Sequence, residues 1–438
     1  MASFSPVFLE SAGIRNVLTQ EQCSLYTVDG VEPGAVVLPS TVNEVSQVLT
    51  LASREGIRVT PYGGGTQMDL GNTPNGVDLV VGISSLNRMV DHQPSDLTAT
   101  VEAGMTLAKA QAKLAKAGQF LPLEAPCPEK ATIGGILATA YNGPLSLAYG
   151  LPRDWLIGIK VVNADGTVTK GGGKVVKNVT GYDMNKLYTG SLGTLGVIVE
   201  ASFKLAPRPP VSHTMVVGFE KLGDAVKTAS ALLREYGGPS ALTLVNGEVA
   251  ARVQLEPKRY CLLALFQGRE GVVKSKADRA SRAAWDNGCN SLEELSSERG
   301  DDLWQRLIDL PWVGVEPPAL SVRFSLLPSQ TPGMVEALDS LEDPSLSHGF
   351  VADIGTGSVR SLWWAAEDAS VPPEFVRRVT SLVNYLEGGW VIERCPSEIK
   401  RGLDVWGPPP DSMEVMRRIK ATLDPAGLLN PGRFVGGV

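Results

Sequence analysis

Hydrophobic and polar positions alternate along the first half of the chain in a way that predicts short strands and helices. Strands are predicted over 35–38, 57–60, 79–81, 98–103, 156–163 and 197–205. Thr41 and Glu44 have the spacing of a capping box, and Gly56 would end the helix that follows. The apolar face of that helix would comprise Val42, Val45, Val48, Leu49 and Ala52. A second helix is predicted between Thr106 and Gly118.

The pattern changes after residues 207–210, a proline-rich run that predicts a domain boundary. Beyond it we predict strands at 214–218, 241–245, 261–266, 320–326 and 358–365 and helices at 222–236 and 333–341. A second proline-rich run lies at 407–410, and a last helix should begin near Asp411, with Glu414 completing its cap. Its apolar face would comprise Met416, Ile419 and Leu423. This order of elements predicts an α+β fold with an antiparallel sheet in the second domain.

Composition excludes several classes of protein. The chain has 438 residues, enough for about two to four domains, and a net charge of −7 argues against a nucleic-acid partner. Its five cysteines lie far apart without a C-x-x-C pair, and its three histidines form no metal-binding motif, so we predict no metal site. No signal sequence or long apolar segment is recognisable, so we expect a cytoplasmic protein that reaches a membrane only through partners.

Glycine is the most informative residue type, because 21 of the 47 glycines lie within residues 61–196. Gly63–Gly65 follow a predicted strand, where consecutive glycines allow backbone N–H groups to converge on an anion such as a diphosphate. The segment 131–135 offers a second such backbone. The alternative is a surface hairpin or bulge. The stretch lacks a G-x-G-x-x-G dinucleotide fingerprint, and the chain lacks a P-loop and a G-x-S-x-G nucleophile elbow.

An ordered set of motifs resembles the FAD-linked oxidases of the vanillyl-alcohol oxidase (PCMH-type) superfamily. The motifs are Pro61-Tyr-Gly-Gly-Gly-Thr66, Asp96–Gly104, Ala131-Thr-Ile-Gly-Gly135, Gly150–Asp154, Lys177–Asp183, Gly190–Gly196 and Asp424–Arg433. Within that superfamily the chain is most similar to the FAD-binding subunits of bacterial glycolate oxidases. The resemblance implies a PCMH-type FAD-binding domain over 1–210, a cap domain over 211–405, and a segment, 406–438, that returns to the first domain.

The resemblance also implies a set of FAD-binding residues. Gly63–Gln67 and Thr132–Gly135 would hold the diphosphate and ribityl chain, Gly193–Ile198 would lie on the adenine side, and Arg433 would reach back to the flavin. The full set comprises Pro61, Tyr62, Gly63, Gly64, Gly65, Thr66, Gln67, Thr132, Ile133, Gly134, Gly135, Thr139, Ala140, Gly150, Asp154, Gly193, Gly196, Val197, Ile198 and Arg433. For Arg433 the alternative is a solvated terminal side chain.

The flavin is expected to be bound non-covalently. Relatives often link it through a histidine at the glycine loop, whereas positions 62 and 67 are here Tyr and Gln. His92 is expected to be a solvated turn residue. Cys127 lies near a position where some relatives attach flavin, but its Ala-Pro-Cys-Pro-Glu surroundings favour a buried, inert thiol.

Catalysis on a 2-hydroxy acid would require a cation for the carboxylate, and Arg153, Arg323 and Arg360 are candidates, although each could instead form a structural ion pair. Catalytic relatives carry clustered histidines that bind a metal beside the substrate, whereas this chain has only His213 and His348 in that domain. Trp363 and Trp364 could line a pocket or belong to the core.

Three functions therefore remain open. The first is the FAD-binding subunit of a glycolate or D-2-hydroxy-acid dehydrogenase complex, with an iron–sulfur subunit and a second flavin subunit as partners. The second is a self-sufficient FAD-dependent alcohol or hydroxy-acid dehydrogenase. The third is a flavin-binding scaffold without turnover of its own.

Overall fold

A computed structural model describes residues 6–173, 182–234, 238–314, 316–366, 370–386 and 388–438. Part of one motif, residues 177–181, lies outside these ranges. The chain divides into two compact units, the first comprising 1–142, 151–208 and 400–438 and the second 143–150 and 209–399. Among the described residues, no helix combines the length and apolar character needed to cross a membrane.

The first unit contains two principal sheets. A parallel sheet has the strand order β1-β3-β2, with β1 at Ala35–Val37, β2 at Val59–Tyr62 and β3 at Leu79–Gly82. An antiparallel sheet has the order β4-β5-β9-β7-β8. Its strands are β4 (Met89–Gln93), β5 (Thr98–Glu102), β7 (Leu156–Val162), β8 (Val168–Gly172) and β9 (Val197–Lys204). The short strands β6 (Gln119–Phe120) and β10 (Ala206–Pro207) form a separate antiparallel pair.

The helices of the first unit pack with these sheets around a main hydrophobic core, and Cys23 of α2 packs in a smaller cluster with Val36 and Val80. They are α1 (Pro6–Ser11), α2 (Gln20–Cys23), α3 (Val42–Glu55), α4 (Leu107–Ala115), α5 (Ile133–Thr139), α7 (Pro152–Trp155), α8 (Met184–Tyr188) and α16 (Met413–Leu423). Thr41 caps α3 by accepting the N–H of Glu44 at 3.2 Å. The Glu44 carboxylate accepts the N–H of Ser40 at 2.7 Å. This second bond of the predicted capping box is therefore made one residue before the N-cap Thr41.

The second unit is built on an eight-stranded antiparallel sheet with the order β14-β11-β13-β12-β16-β17-β15-β18. The strands are β11 (Val211–Phe219), β12 (Ala241–Asn246), β13 (Tyr260–Gly268), β14 (Ser291–Leu295), β15 (Leu320–Leu326), β16 (Leu346–Asp353), β17 (Ser358–Ala365) and β18 (Gly388–Arg394). The helices are α6 (Ser146–Tyr149), α9 (Leu222–Arg234), α10 (Gly247–Arg252), α11 (Glu270–Asp286), α12 (Ser297–Asp309), α13 (Thr331–Asp339) and α14 (Pro373–Ser381). Helix α15 (Ser397–Lys400) ends at the division between the units. The α+β prediction is confirmed.

The division between the units differs from the sequence boundaries at 210 and 405. It falls after 208 and after 399, and residues 143–150 belong to the second unit. That short segment is held there by its own side chains, because Leu145 packs on the second unit's core and Tyr149 donates its hydroxyl to Gln267 at 3.2 Å. Nothing in the amino-acid composition of these eight residues indicates that they belong to the second unit.

Several local predictions need correction. His92 lies on β4, not in a turn, and its Nε2 is 2.9 Å from Oε1 of Gln119. Glu414 does not complete a cap, because the N-cap residue of α16 is Ser412 and its side chain makes no capping hydrogen bond. Cys127 is half-buried rather than buried, in a left-handed conformation with φ of 50°. For Trp363 and Trp364, by contrast, the core alternative is confirmed, because they are 0% and 4% exposed.

Candidate cofactor site

The site begins at the end of β2, where residues 63–65 turn away from the parallel sheet. Gly64 lies so close to residues 130 and 131 that an added Cβ would overlap the carbonyl oxygen of Lys130. Only glycine is compatible with that approach. The predicted glycine loop and the predicted 131–135 segment therefore form a single surface.

The 131–135 segment is the start of α5. Thr132 caps the helix by accepting the N–H of Gly135 at 3.3 Å. Ile133 and Gly134 point inward, since Ile133 is fully buried and a Cβ on Gly134 would crowd Ala103 at 2.9 Å. On the next turn, Thr139 donates its hydroxyl to Gln67 at 3.0 Å. This bond joins the helix to the residues that follow the glycine loop.

The C-terminal tail supplies another wall. Leu428 and Asn430 hydrogen-bond to the backbone of Val59 at 2.8 and 2.7 Å, which anchors the tail beside β2. Nδ2 of Asn430 donates to the carbonyl oxygen of Leu192 at 2.7 Å, joining the tail to the loop before β9. In that loop Gly193 has φ of 70°, a conformation that favours glycine.

These segments enclose a cleft within the first unit whose empty volume, part of it open to solvent, is about 610 Å³. Small-molecule sites span about 300–1,000 Å³, so the size is appropriate for an organic ligand. The lining residues are Pro61, Gly63, Gly64, Gly65, Thr66, Gln67, Met68, Ala131, Thr132, Gly135, Ile136, Ala138, Thr139, Leu192, Gly193, Asn430 and Arg433.

Arg433 is the charged group of this cleft, and it is only 1% exposed. Its Nη2 donates to the carbonyl oxygens of Met68 and Leu70 at 2.8 and 2.5 Å. Among the described residues, its Nε and Nη1 have no hydrogen-bond partner. Burial lowers the pKa of Arg433 to about 10, while Asp29 and Asp69 favour its charged form. The side chain is therefore cationic at neutral pH, with donors available for an anionic or carbonyl group.

Most of the predicted FAD-binding residues meet at this cleft, but a subset does not line it. Tyr62 lies on the strand before the loop, and burial raises the pKa of its phenol. Ala140 ends α5, Gly196, Val197 and Ile198 are buried at the start of β9, and Asp154 is exposed, accepting the N–H of Leu151 at 2.8 Å. Gly150 belongs to the second unit. These roles remain predictions.

The predicted set of FAD-binding residues lacks several residues that line the cleft, namely Met68, Ala131, Ile136, Ala138, Leu192 and Asn430. Ala131 lies in the predicted 131–135 segment, and Met68 directly follows the predicted glycine loop, so extending that loop by one residue would have found it. Asn430 lies in the Asp424–Arg433 motif, which was informative only through its resemblance to the FAD-linked oxidases. Its φ of 45° and its bond to Leu192 were not readable from the sequence.

The second unit carries the arginines proposed for substrate binding. Arg323 and Arg360 are directly opposite one another on β15 and β17. Glu393 on β18 accepts Nε of Arg323 at 3.0 Å and Nε of Arg360 at 3.1 Å. The side chain of Arg360 is 5% exposed and that of Arg323 is 24% exposed, so Arg323 is the more accessible. Arg153 is exposed on α7 in the first unit.

Asp353 lies next to these charges at the end of β16. It is buried and accepts the hydroxyl of Thr243 at 2.6 Å. Burial raises the pKa of its carboxyl group, while Arg360 acts to lower it.

The histidines are dispersed. His348 is half-buried, stacks on Trp363 with ring centroids 4.1 Å apart, and has a pKa lowered to about 3 by desolvation. His213 lies 3.4 Å from a carboxylate oxygen of Glu294. Within the described ranges, no three His, Cys, Asp or Glu side chains come together in a way that could hold a metal ion.

Comparison with known protein families identifies the cleft. Residues 33–172 match the family described as the FAD binding domain, and residues 408–434 match the C-terminal domain of FAD linked oxidases. Both matches support the resemblance to the FAD-linked oxidases. The first match contains the glycine loop and α5, and the second contains Asn430 and Arg433, so together they contribute most of the cleft.

Curated proteins match this chain over nearly its whole length. Glycolate oxidase subunit GlcD of Bacillus subtilis is 27% identical over 92% of this chain and 89% of its own. D-2-hydroxyglutarate dehydrogenase of Xanthomonas citri is 29% identical with the same coverage. D-lactate dehydrogenase of Archaeoglobus fulgidus is 26% identical over 91% of each chain. These similarities confirm that the protein is an FAD-dependent oxidoreductase.

Solved structures support the fold. 4-Ethylphenol oxidase from Gulosibacter chungangensis aligns with a TM-score of 0.75 at 16% identity, covering 97% of this chain and 95% of that chain. p-Cresol methylhydroxylase aligns with a TM-score of 0.74 at 18% identity and the same coverage. The PCMH-type fold predicted from the sequence is thereby confirmed.

The residues of the cleft fit FAD. Because Gly64 lies so close to residues 130 and 131, the surface where a diphosphate would bind is formed by backbone rather than by side chains. The unpartnered Nε and Nη1 of Arg433 and the unpartnered Oδ1 of Asn430 supply donors and an acceptor for the cofactor's polar groups. Ile136, Ala138 and Leu192 offer apolar contact. The family assignment and the local chemistry therefore agree.

Proposed function

We propose that this FAD-dependent oxidoreductase oxidises a small 2-hydroxy acid and passes the electrons to partner subunits. The names of its relatives indicate glycolate, D-lactate and D-2-hydroxyglutarate as their substrates, and all three compounds carry a hydroxyl beside a carboxylate. The observation that carries the proposal for this chain is the partly exposed Arg323, oriented by Glu393 in a cluster with two guanidinium groups.

Arg323 is the residue we assign to the substrate carboxylate. Its Nε is bound to Glu393 and its Nη1 donates to Ser325 at 3.3 Å, which fixes the plane of the guanidinium. A planar fork held in this way is suited to a carboxylate. Arg360 is already buried against Glu393, so its role would be to stabilise the cluster.

In the reaction the alcohol loses two electrons and two protons and becomes a carbonyl. FAD, when bound, supplies the two-electron acceptor for hydrogen from the substrate Cα. The chain holds the cofactor at the glycine loop and Arg433 and holds the substrate carboxylate at Arg323. The electrons then pass to an iron–sulfur subunit, which matches the absence of clustered cysteines from this sequence.

A second candidate is a flavin-binding scaffold within the same kind of complex. The separate positions of His213 and His348 favour it, because neither histidine belongs to a metal-binding group within the described residues. Self-sufficient dehydrogenation is the remaining alternative. A cytoplasmic location and contact with a membrane through partners remain predictions from the sequence.

Anaerobic flavin reduction tests these functions. The FAD-loaded chain would be mixed with glycolate, D-lactate, L-lactate or D-2-hydroxyglutarate, alone and with the candidate iron–sulfur and flavin subunits. We expect at least one D-configured or achiral acid to bleach the flavin absorbance of this chain. Bleaching only in the reconstituted complex, from the second flavin, would favour the scaffold. Full turnover by the isolated chain would favour the self-sufficient enzyme.

Arg323→Met tests the substrate site, with Arg282→Met as the matched control because Arg282 is exposed on α11. Losing a charge-assisted hydrogen bond costs about 1.5–3 kcal/mol, so the substrate Kd should rise roughly 10- to 100-fold. Arg323→Lys should recover part of the affinity. Unchanged substrate affinity in Arg323→Met would contradict the assignment.

A further inference from the structure

A fully buried lysine–aspartate pair lies in the first unit and plays no part in the function described above. Nζ of Lys400 donates to Oδ1 of Asp29 at 2.6 Å, and the two side chains are 0% and 4% exposed. The residues are 371 positions apart in sequence. A buried ion pair of this kind contributes little net stability, because desolvation offsets the attraction. Stability alone therefore does not explain why this ion pair is buried at this position.

The pair is joined to the cleft through a short backbone segment. Lys400 also donates to the carbonyl oxygen of Asp69, while Arg433 donates to the carbonyl oxygens of Met68 and Leu70. Two buried cations thus bind three consecutive carbonyl groups. Met68 and Arg433 both line the cofactor cleft. Lys400 and Asp29 consequently lie directly behind its wall.

Two acidic side chains act on the buried cations of this region. The hydrogen bonds of Arg433 are made to carbonyl oxygens, and within the described residues its Nε and Nη1 are unpartnered. Asp29 is bonded to Lys400 through Oδ1, whereas its buried Oδ2 has no partner among the described residues. Asp29 and Asp69 both favour the charged form of Arg433. The buried carboxylate of Asp29 therefore acts on both buried cations, and Asp69 acts on Arg433 as well.

We propose that the Asp29–Lys400 pair sets the positive potential at the cofactor cleft, through Arg433, and thereby tunes the reduction potential of bound FAD. The proposal rests on the FAD assignment and not on the identity of the substrate. Reduction adds negative charge to the flavin, so a more positive surrounding favours the reduced form. Charges in a poorly solvated interior act over longer distances than charges in water. Asp29 and Lys400 are positioning residues in this account, because they act through Arg433.

The test compares variants that remove the negative charge of Asp29, the positive charge of Lys400, or both. The variants Asp29→Asn, Lys400→Met and the double variant would be loaded with FAD, and the flavin would be reduced with xanthine and xanthine oxidase beside a reference dye. Asp29→Asn should shift the reduction equilibrium about tenfold toward reduced flavin, or about 30 mV for a two-electron couple. Lys400→Met should shift it about tenfold in the opposite direction. The double variant should return to within about threefold of wild type.

Matched controls separate a charge effect from a structural one. Glu200→Gln and Lys160→Met alter another Lys–carboxylate pair of the first unit with the same 2.6 Å separation, and they should leave the potential unchanged. Asp29→Glu and Lys400→Arg keep the charges and should restore the wild-type potential. Thermal melting and FAD titration would accompany each measurement.

Several outcomes would overturn the proposal. Potentials of the two single variants that equal wild type, or that move in the same direction, would exclude tuning by charge. Loss of FAD from every single variant would assign the pair a structural role instead. The measurement uses no 2-hydroxy acid, so it can succeed even where the substrate panel fails, and the two proposals are tested independently.

Discussion

Nη2 of Arg433 donates a hydrogen bond to the carbonyl oxygen of Met68 at 2.8 Å, across 365 positions of sequence. The bond places a buried guanidinium from the C-terminal tail in the wall of a cleft that begins at the glycine loop. Its other nitrogens, Nε and Nη1, have no partner in the part of the chain that the structure describes. A cation held in this way is prepared for a ligand rather than for internal packing.

Arg433→Met is expected to weaken FAD binding. The variant removes charge-assisted donors worth about 1.5–3 kcal/mol, so the Kd for FAD should rise roughly 10- to 100-fold. Flavin fluorescence quenching during titration of the apoprotein would measure it. Arg418→Met, on the exposed side of α16, is the control and should bind FAD normally. Equal affinity in the two variants would argue that Arg433 does not contact the cofactor.

Gly64→Ala should abolish tight FAD binding by a different route. The new Cβ would overlap the carbonyl oxygen of Lys130, so the loop must move away from residues 130 and 131. Loss of one or two backbone donors to a phosphate corresponds to at least about a tenfold increase in Kd. Gly223→Ala is the control, because a Cβ there meets nothing within 4 Å. A Gly64→Ala protein that retains FAD at wild-type affinity would contradict this geometry.

The flavin should be released when the protein is unfolded. Tyr62 and Gln67 occupy positions where relatives can carry a linking histidine, and neither side chain forms the usual flavin bond. Acid precipitation should therefore leave all flavin absorbance in the supernatant. Colour that remains in the pellet would indicate covalent attachment. Repeating the experiment with Cys127→Ser would then decide whether that half-buried thiol is the site.

The lowered pKa of His348 predicts that the free energy of unfolding depends on pH. Burial lowers its pKa from 6.5 to about 3, so the folded protein keeps it neutral while the unfolded chain binds a proton below pH 6.5. The free energy of unfolding should therefore fall as the pH decreases from 6.5 toward 3, by about 1.4 kcal/mol per pH unit from this residue.

His348→Gln removes that contribution. Urea unfolding at pH 7.5 and pH 5.5 should show a pH-dependent loss about 1.4 kcal/mol smaller in the variant than in wild type. The comparison uses the difference between the two pH values, so the cost of losing the Trp363 stacking cancels. An equal loss in both proteins would mean that His348 is accessible to protons in the folded state.

The sequence identified the local parts of the site because their chemistry is local. Consecutive glycines let backbone N–H groups converge, so Gly63–Gly65 predict a diphosphate nest, with a surface hairpin or bulge as the alternative. The cap at Thr132 follows from the residues immediately around it. Predictions failed where one residue had to be read without its neighbours, as with His92, which pairs on β4 rather than lying in a turn.

By itself the sequence determined the α+β class, the antiparallel second sheet, the resemblance to FAD-linked oxidases and most of the segments that line the cleft, because periodicity and motif spacing are properties of short segments. Only the tertiary structure decided that Lys400 meets Asp29, that Glu393 joins Arg323 to Arg360, and that residues 143–150 belong to the second unit. These contacts join distant positions and lie in places where water is excluded. Burial and pairing of charge depend on the whole fold, and no local pattern encodes them.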